Sequence, residues 1–437
     1  MKKRIRSMLS FVLVIGLVMQ LSMLTFAEET KTTIDENKIY AQSAVLMDAD
    51  SGRILYEKNG EEQRPMASTT KIMTLIITLE NADLDDTVTV SDYAASMPDV
   101  QLNMRKGETY RLEDLVYSLM LESHNDSAVA IAEHVGAQDG KSAEERTKEE
   151  SQRAVANFCE SMNQKARDIG CFHTCFLTPN GLDAEATIEN DNSVTKIHST
   201  TASDLARIMS YCITKSPQKE KFLEITRTPS YSFQDNTGSR SFSCNNHNAF
   251  LTMMEGALSG KTGFTSKAGY CYIGSLRSEN RTYVVALLAC GWPNHKGYKW
   301  MDMKNLMSYG ISNYTYHDFN EVKLEENKLK PVPIINGQTK EIGETAYAGI
   351  TYGNETISNK NAFDNTGILL REDEKIQVLY EIPDTLEAPV QKGKVVGTIT
   401  YQVSGETWKI KHIFLKDTIP KIDLRWCLAR LIEKYML

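Results

Sequence analysis

Pro65-Met66-Ala67-Ser68-Thr69-Thr70-Lys71-Ile72-Met73-Thr74 is the stretch on which the reading of this chain turns. Ser68 and Lys71 stand three apart at the start of an apolar-periodic segment, so on one helical turn they face the same way. Such a pair makes a nucleophile without a histidine, because a lysine with a lowered pKa can take the hydroxyl proton. Ile72-Met73-Thr74-Leu75-Ile76-Ile77-Thr78-Leu79-Glu80 reads as a buried helix, and Arg64-Pro65-Met66-Ala67 as the turn that feeds its N-terminus. An S-x-x-K tetrapeptide alone is a weak signal, since chance supplies it in many proteins.

Two more motifs follow. Ser123-His124-Asn125 lies between helical patterns over 112–121 and 126–135, where a helix-helix connection presents both polar side chains to a cleft. Lys261-Thr262-Gly263 precedes two apolar runs, 270–276 and 282–289, that read as strands joined at Ser278-Glu279-Asn280-Arg281. The K-T-G therefore falls on or beside a sheet edge. S-x-x-K, S-x-N and K-T-G in this order are the signature set of the penicillin-recognising serine enzymes. Each is in its expected local context, which a purely structural reading does not explain.

From about Tyr40 onward the chain resembles the low-molecular-mass penicillin-binding proteins that are D-alanyl-D-alanine carboxypeptidases, the S11 serine peptidase type. The segments that carry the resemblance include Ala44-Val45-Leu46-Met47-Asp48, Thr178-Pro179-Asn180-Gly181-Leu182, Thr200-Thr201-Ala202-Ser203-Asp204-Leu205-Ala206 and residues 260–270. His124 departs from it, at a position that more often holds a small residue, and 138–153 looks like a charged insertion. The resemblance implies acyl transfer through a serine ester. Ser68 is the expected nucleophile, Lys71 the base with Lys261 as the second cation that lowers its pKa, and Ser123 the relay to the leaving nitrogen. Asn125 would bind the substrate amide and hold Lys71. Lys261 and Thr262 of the Lys261-Thr262-Gly263 strand would bind the terminal carboxylate. The backbone N–H groups of Ser68 and Phe264, the residue directly after Gly263, would form the oxyanion hole. The implied substrate is a peptidoglycan stem peptide ending in D-Ala-D-Ala, and β-lactams would acylate Ser68. No cofactor and no metal are expected.

The N-terminus reads as a secretory signal over 1–27. Lys2, Lys3, Arg4 and Arg6 form the positive region, 8–24 the apolar stretch, and Thr25-Phe26-Ala27 a cleavage site. The alternative is an uncleaved anchor. Cleavage would move the formal charge from −8 to −12 by removing four positive charges and no acids. An acidic exported chain is not built to hold nucleic acid by bulk charge. An exported location permits disulfides, but the cysteine spacing shows no dense framework, and Cys271 and Cys290 read as buried thiols. Cys171-Phe172-His173-Thr174-Cys175 lacks a second ligand pair for a metal.

The expected fold class is α+β. A penicillin-binding/β-lactamase-like catalytic domain over 28–319 has an antiparallel sheet backed by terminal helices, with a helical lobe from the nucleophile helix to about Ser216 and strands returning from about Thr226. The cleft lies between lobe and sheet. A small all-β domain of sandwich type follows over 320–415, with strands near 322–324, 330–334, 344–352, 366–370, 375–381 and 394–402. The tail 416–437 reads as an amphipathic helix, with Leu424, Leu428, Leu431, Ile432 and Tyr435 on one face, lying in the outer surface of the cytoplasmic membrane. His198 reads as a structural hydrogen-bonding residue and His134 as a helix-end imidazole. Two other functions stay open. A β-lactamase of the same superfamily needs a water-activating glutamate, for which Glu185 and Glu189 lie in the right interval but in the wrong flanking pattern. A catalytically silent wall-binding protein is opposed by the intact Ser68, Lys71, Ser123, Asn125 and Lys261.

Overall fold

The computed structural model describes residues 33–35, 38–98, 100–138, 140–188, 191–353 and 366–435. The signal segment expected over 1–27 lies outside the described residues. Strands β1 (Ala41–Asp48) and β2 (Ile54–Lys58) form the opening hairpin. Helices α1 (Lys71–Asn81), α2 (Leu112–Leu121), α3 (Asn125–Gly136), α4 (Lys148–Asp168), α5 (Ala202–Ser210) and α6 (Lys219–Arg227) make up the lobe. Strands β3 (Ala257–Thr265), β4 (Gly269–Ser278) and β5 (Arg281–Cys290) then return to the sheet, and α7 (Tyr298–Asn313) closes it.

The sheet order is β2-β1-β5-β4-β3, antiparallel throughout, so β3 and its Lys261-Thr262-Gly263 lie on the edge. The β4–β5 turn is tight because Glu279 and Asn280 both take positive φ, 47° and 63°. The central strand β5 is apolar on both faces. Val284, Ala286 and Leu288 join the core shared with the helical lobe. Tyr283, Val285 and Leu287 join the second core under α7 with Met303, Leu306 and Met307. That two-sided burial is why β5 reads as an unbroken apolar run rather than an alternation. Helix α1 is buried from Lys71 to Leu79, as an all-round apolar helix must be.

Several expected boundaries move. The lobe runs on to Arg227, because Phe222, Ile225 and Thr226 of α6 are buried in it, and strand structure resumes at Ser230. An unexpected hairpin, Glu185–Ile188 with Asp191–Ile197, lies within the expected helical part. The charged insertion opens the long helix α4, which Thr147 and Glu150 start with a reciprocal capping box.

The C-terminal region is all-β. Thr315–Asp318 pairs with Gly367–Leu370, and Phe319 packs with Ile368, Leu370, Ile399 and Tyr401. The change of character therefore falls near Thr315, a little before the expected residue 320. No strand forms over 322–324. The long strand Glu406–Leu415, paired with Val395–Val403, was not expected. Its inward positions Lys409 and Lys411 hide the alternation, since their stems are buried with the ammonium groups over the rings of Phe319 and Tyr401. The last helix, α8 (Leu424–Tyr435), starts later than 416. Ile419 exchanges two backbone hydrogen bonds with Val390 and packs on Ile334 and Leu415, so the preceding residues belong to the β core.

Arg53 joins the two regions. Its guanidinium donates to the Leu369 carbonyl and to Glu374 Oε1, and its carboxylate partner is as well covered as it is. Replacing Arg53 by alanine takes the guanidinium from Glu374 Oε1 and leaves the carboxylate with the Arg371 N–H on Oε2 at 2.9 Å. Urea denaturation of Arg53→Ala should show a loss of about 3 kcal/mol, the low end for breaking a covered ion pair, and a separate earlier transition for the C-terminal region.

Candidate active site

The nucleophile turn is a short 3-10 segment, Ala67–Thr70, with Lys71 opening α1 directly after it. Thr69 Oγ1 donates to the Met66 carbonyl at 2.6 Å and Thr70 Oγ1 to the Ala67 carbonyl at 2.8 Å. Ala67 holds φ +48°, a strained conformation for a residue with a Cβ. Two glycines let neighbouring chain close on this turn. A Cβ on Gly181 (φ +86°) would sit 2.1 Å from the Ala67 carbonyl oxygen, and one on Gly263 would sit 2.9 Å from the Ser68 nitrogen.

Lys71 is 0% exposed. Its ammonium donates to Ser68 Oγ at 3.0 Å, Asn125 Oδ1 at 2.8 Å and the Asn180 carbonyl at 2.7 Å. Burial pulls its pKa well below the ordinary lysine value, the charge of Lys261 lowers it further, and Asp126 opposes both. Asp126 itself is held by the Leu102 and Met104 N–H groups. Across the cleft, Lys261 on β3 donates to Ser123 Oγ at 2.9 Å and to the Thr262 carbonyl at 3.0 Å. Burial lowers its pKa to about 7. Ser123 sits at φ +69° in the α2–α3 connection, which turns its hydroxyl toward Lys261.

The structure thus gathers Ser68, Lys71 and Asn125 into one hydrogen-bonded set and Ser123 with Lys261 into another, with Ser68, Ser123 and Lys261 lining one cleft and Gly263 against the Ser68 backbone. Thr262 and Phe264 line the same cleft, of about 540 Å³. Phe264 packs at a tilt between Tyr270 and Trp292, with ring centroids 4.8 and 4.7 Å away. The His124 side chain is not at the cleft edge. It turns into the lobe and bonds Ser118 Oγ at 2.8 Å. Glu185 forms an exposed ion pair with Lys267 at 2.6 Å, so it is already engaged. Among the described residues no cluster of three or more His, Cys, Asp or Glu could hold a metal.

Sequence reasoning gave no role to Asn180, whose carbonyl receives Lys71 and faces Ser68 Oγ at 3.4 Å. His198 was expected to be structural, but its place was not legible. Its Nδ1 accepts from the Leu177 N–H at 3.0 Å, so the proton is on Nε2 and points to Thr70 Oγ1 at 2.9 Å. It straps the 177–181 segment to the nucleophile turn. Burial drives its pKa down to about 4.

The chain is similar to known proteins over most of its length. A family model described as D-alanyl-D-alanine carboxypeptidase matches residues 29–289, and one described as penicillin-binding protein 5, C-terminal domain, matches 368–421. The chain is 27% identical over 401 residues to D-alanyl-D-alanine carboxypeptidase DacF of Bacillus subtilis, covering 91% of this chain and 90% of that one. It is 26% identical over 392 residues to D-alanyl-D-alanine carboxypeptidase DacA of Haemophilus influenzae, covering 87% and 85%. Among solved structures, the Streptomyces K15 DD-transpeptidase superposes with a TM-score of 0.54 at 27% identity, over 65% of this chain and 99% of that one. Penicillin binding protein 5 of Haemophilus influenzae superposes with a TM-score of 0.60 at 24% identity over 89% and 99%, a likeness of fold.

Because His198 is neutral in the folded chain, the unfolded chain takes its proton first as pH falls. Stability should drop between pH 6.5 and about 4, by about 3 kcal/mol for a shift of this size. Urea midpoints across that range should fall in the wild type and flatten in His198→Gln.

Proposed function

The chain belongs to the D-alanyl-D-alanine carboxypeptidase family, and from there we propose that Ser68 and Lys71 are the catalytic pair that removes the terminal D-alanine of a stem peptide. The protein is a serine-type D-Ala-D-Ala carboxypeptidase that acts on peptidoglycan and limits cross-linking by consuming pentapeptide ends. The observation that carries the catalytic assignment is the sealed Lys71 ammonium 3.0 Å from Ser68 Oγ. A lysine in that setting gives up its proton far more readily than an exposed one does.

Ser68 Oγ attacks the carbonyl of the penultimate D-alanine as Lys71 takes its proton. The oxyanion forms against the backbone N–H groups of Ser68 and Phe264. Ser123, poised on Lys261, passes a proton to the departing nitrogen. Lys261 and Thr262 hold the terminal carboxylate, so a free C-terminal D-alanine is required. Asn125 uses its carbonyl on Lys71 and its amide on the substrate backbone. Water then splits the ester. A β-lactam presents the same acyl shape to Ser68 and leaves slowly. The ion-paired state of Glu185 gives no support to rapid β-lactam hydrolysis.

The finer localisation belongs to this proposal. The chain is exported by its N-terminal segment and rests on the outer face of the cytoplasmic membrane. No described helix is long and apolar enough to cross a membrane. Helix α8 instead leaves Leu424, Leu428, Leu431, Ile432 and Tyr435 exposed, with Leu424 at 75%. Such a stripe suits an interface, aided by Arg425, Arg430 and Lys434 on anionic lipid.

Purified protein should release free D-alanine from a pentapeptide, and Ser68→Ala should not. Labelled penicillin should be recovered on the peptide containing Ser68. Lys71→Arg keeps the charge but not the base, so penicillin acylation should slow about 10²- to 10⁴-fold with an unchanged circular dichroism spectrum. Near-normal labelling would place the base elsewhere.

A chain ended after Asp423 keeps Ile419 in the β core. It should stay folded, retain activity on soluble peptides and lose sedimentation with anionic vesicles. Equal vesicle binding would show that α8 is not the anchor.

A further inference from the structure

Residues 100–104 have no regular secondary structure, yet they are held to the start of α3 at three points. The Asn125 N–H donates to the Val100 carbonyl at 2.7 Å. The Leu102 and Met104 N–H groups donate to the two carboxylate oxygens of Asp126, at 3.0 and 3.2 Å. This stretch passes from the cleft to the core. Val100 lines the cleft with Ser68 and is 52% exposed, whereas Leu102 and Met104 are buried in the core of the lobe. Both grips come from neighbouring residues at one helix end, and the first of them, Asn125, also accepts from the Lys71 ammonium. The Asn125 side-chain amide donates to the Pro98 carbonyl at 3.1 Å, which extends the same attachment upstream.

Asp126 is 1% exposed. An acidic residue that served only the helix dipole would do so at the surface. Here its oxygens accept the Leu102 and Met104 N–H groups and the Ser127 N–H, the last at 2.9 Å. The Lys71 ammonium gives its bonds to Ser68 Oγ, Asn125 Oδ1 and the Asn180 carbonyl, and none of these goes to Asp126. The carboxylate therefore reaches Lys71 through space, and a charge shielded from water is weakly screened. Burial comes first and Lys261 second in lowering the proton affinity of Lys71, and the charge of Asp126 works against both. Direct contact would lock the two into an ion pair. The 100–104 N–H groups occupy the carboxylate instead, so what remains is a bias. A general base needs that bias, because one pushed too low takes a proton poorly.

We propose that Asp126 is a positioning residue for the Ser68 reaction: it ties residues 100–104 to the cleft end of α3 and keeps a buried negative charge one residue from the Asn125 side chain that holds Lys71. This rests on the Ser68 and Lys71 reading above. The other ionisable groups that bear on this pair are Lys261 of β3 and His124, the residue before Asn125, with Glu122 and His247 paired beyond it at 2.6 Å. His124 bonds Ser118 Oγ at 2.8 Å, and burial lowers its pKa, so the ring is neutral at neutral pH. Lys261 is lowered to about 7 by burial. The two lysines therefore answer to Asp126 differently. Acylation needs Lys71 without its proton, which sets the acid limb of rate against pH. The grip on the substrate carboxylate needs Lys261 with its proton, which sets the alkaline limb. Asp126 acts on the first.

The full chain should be acylated with labelled penicillin from about pH 5 to about pH 10. Wild type would be compared with Asp126→Asn, Asp126→Ser, Asp126→Glu and His124→Gln, each checked for a native near-ultraviolet dichroism spectrum. Asp126→Asn and Asp126→Ser remove the charge at two sizes. Their acid limb should move to lower pH by about one unit, the scale on which a neighbouring opposite charge acts. Their plateau rate should fall about threefold as the base weakens, and the alkaline limb should stay. Asp126→Glu keeps the charge but not the fit, so its acid limb should coincide with that of wild type even where its rate falls. His124→Gln should leave both limbs in place. An acid limb that is unmoved in the folded charge-free variants, or that moves equally in Asp126→Glu, reduces Asp126 to a structural tie. That result overturns the proposal and spares Lys71. A limb that moves in His124→Gln belongs to the histidine and overturns the proposal as well. If wild type carries no label on Ser68, or Lys71→Arg labels normally, the reading beneath it falls and the proposal with it.

Discussion

The burial of two lysines is the constraint on which the rest of the structure depends. Lys71 and Lys261 come from opposite walls of one cleft, and both are withdrawn from water. An ammonium taken out of water is costly unless it is paired or loses its proton. Here the partners are neutral oxygens: a serine on each side, an asparagine and two backbone carbonyls. They satisfy the N–H groups without restoring the charge balance, so the proton is held weakly. A carboxylate partner would give a stable ion pair and an inert base. The surroundings must therefore be rigid enough to impose this on the chain. The strained Ala67 turn, costing on the order of 1–3 kcal/mol, shows the same imposition. The offset lies directly downstream. Ile72, Leu75, Ile76, Ile77 and Leu79 of α1 are all buried, each worth about 1.5–3 kcal/mol. The nucleophile sits at the mouth of a helix that is buried from Lys71 to Leu79, and that helix can carry the cost.

This explains which parts of the site were legible in the sequence. Ser68, Lys71, Ser123, Asn125 and Lys261-Thr262-Gly263 announce themselves because their chemistry needs those residue types at local spacings. Asn180 acts through its backbone carbonyl, which any residue possesses, so nothing in its side chain marks that role. His198 is legible as a polar residue before a helix. Its service to Thr70 depends on a crossing of chain 128 positions apart, which local pattern does not encode.

The fold shows a similar division. Strands β4 and β5 of the sheet were readable, because a central strand buried on both faces is a long apolar run and its turn carries the residues a tight hairpin demands, whereas β3 was legible only as a place on or beside a sheet edge. The C-terminal region was readable as all-β but not strand by strand. Lys409 and Lys411 put charged heads where alternation asks for apolar side chains, and Ile410 faces outward at the position between them. The boundary of α8 was misplaced for a different reason. A helical face can be drawn back through 416–423, but Ile419 pairs with Val390 before any helix can start.

The two ends of the cleft follow from the same edge strand. At its C-terminal end β3 runs into a turn that Asp183 and Glu185 hold from the segment just beyond Gly181. The chain that supplies Asn180 to Lys71 is thereby anchored on both sides of its contact, by His198 before it and by this clasp after it. Rigidity is placed where the lysine must be kept from water. Nearer its start β3 carries Gly260, where the missing side chain leaves room that Tyr272 and Asn248 occupy. Lys261, the next residue along β3, is withdrawn from water as well, so the same edge strand that lets its neighbours close on the nucleophile turn also seals the second lysine of the cleft.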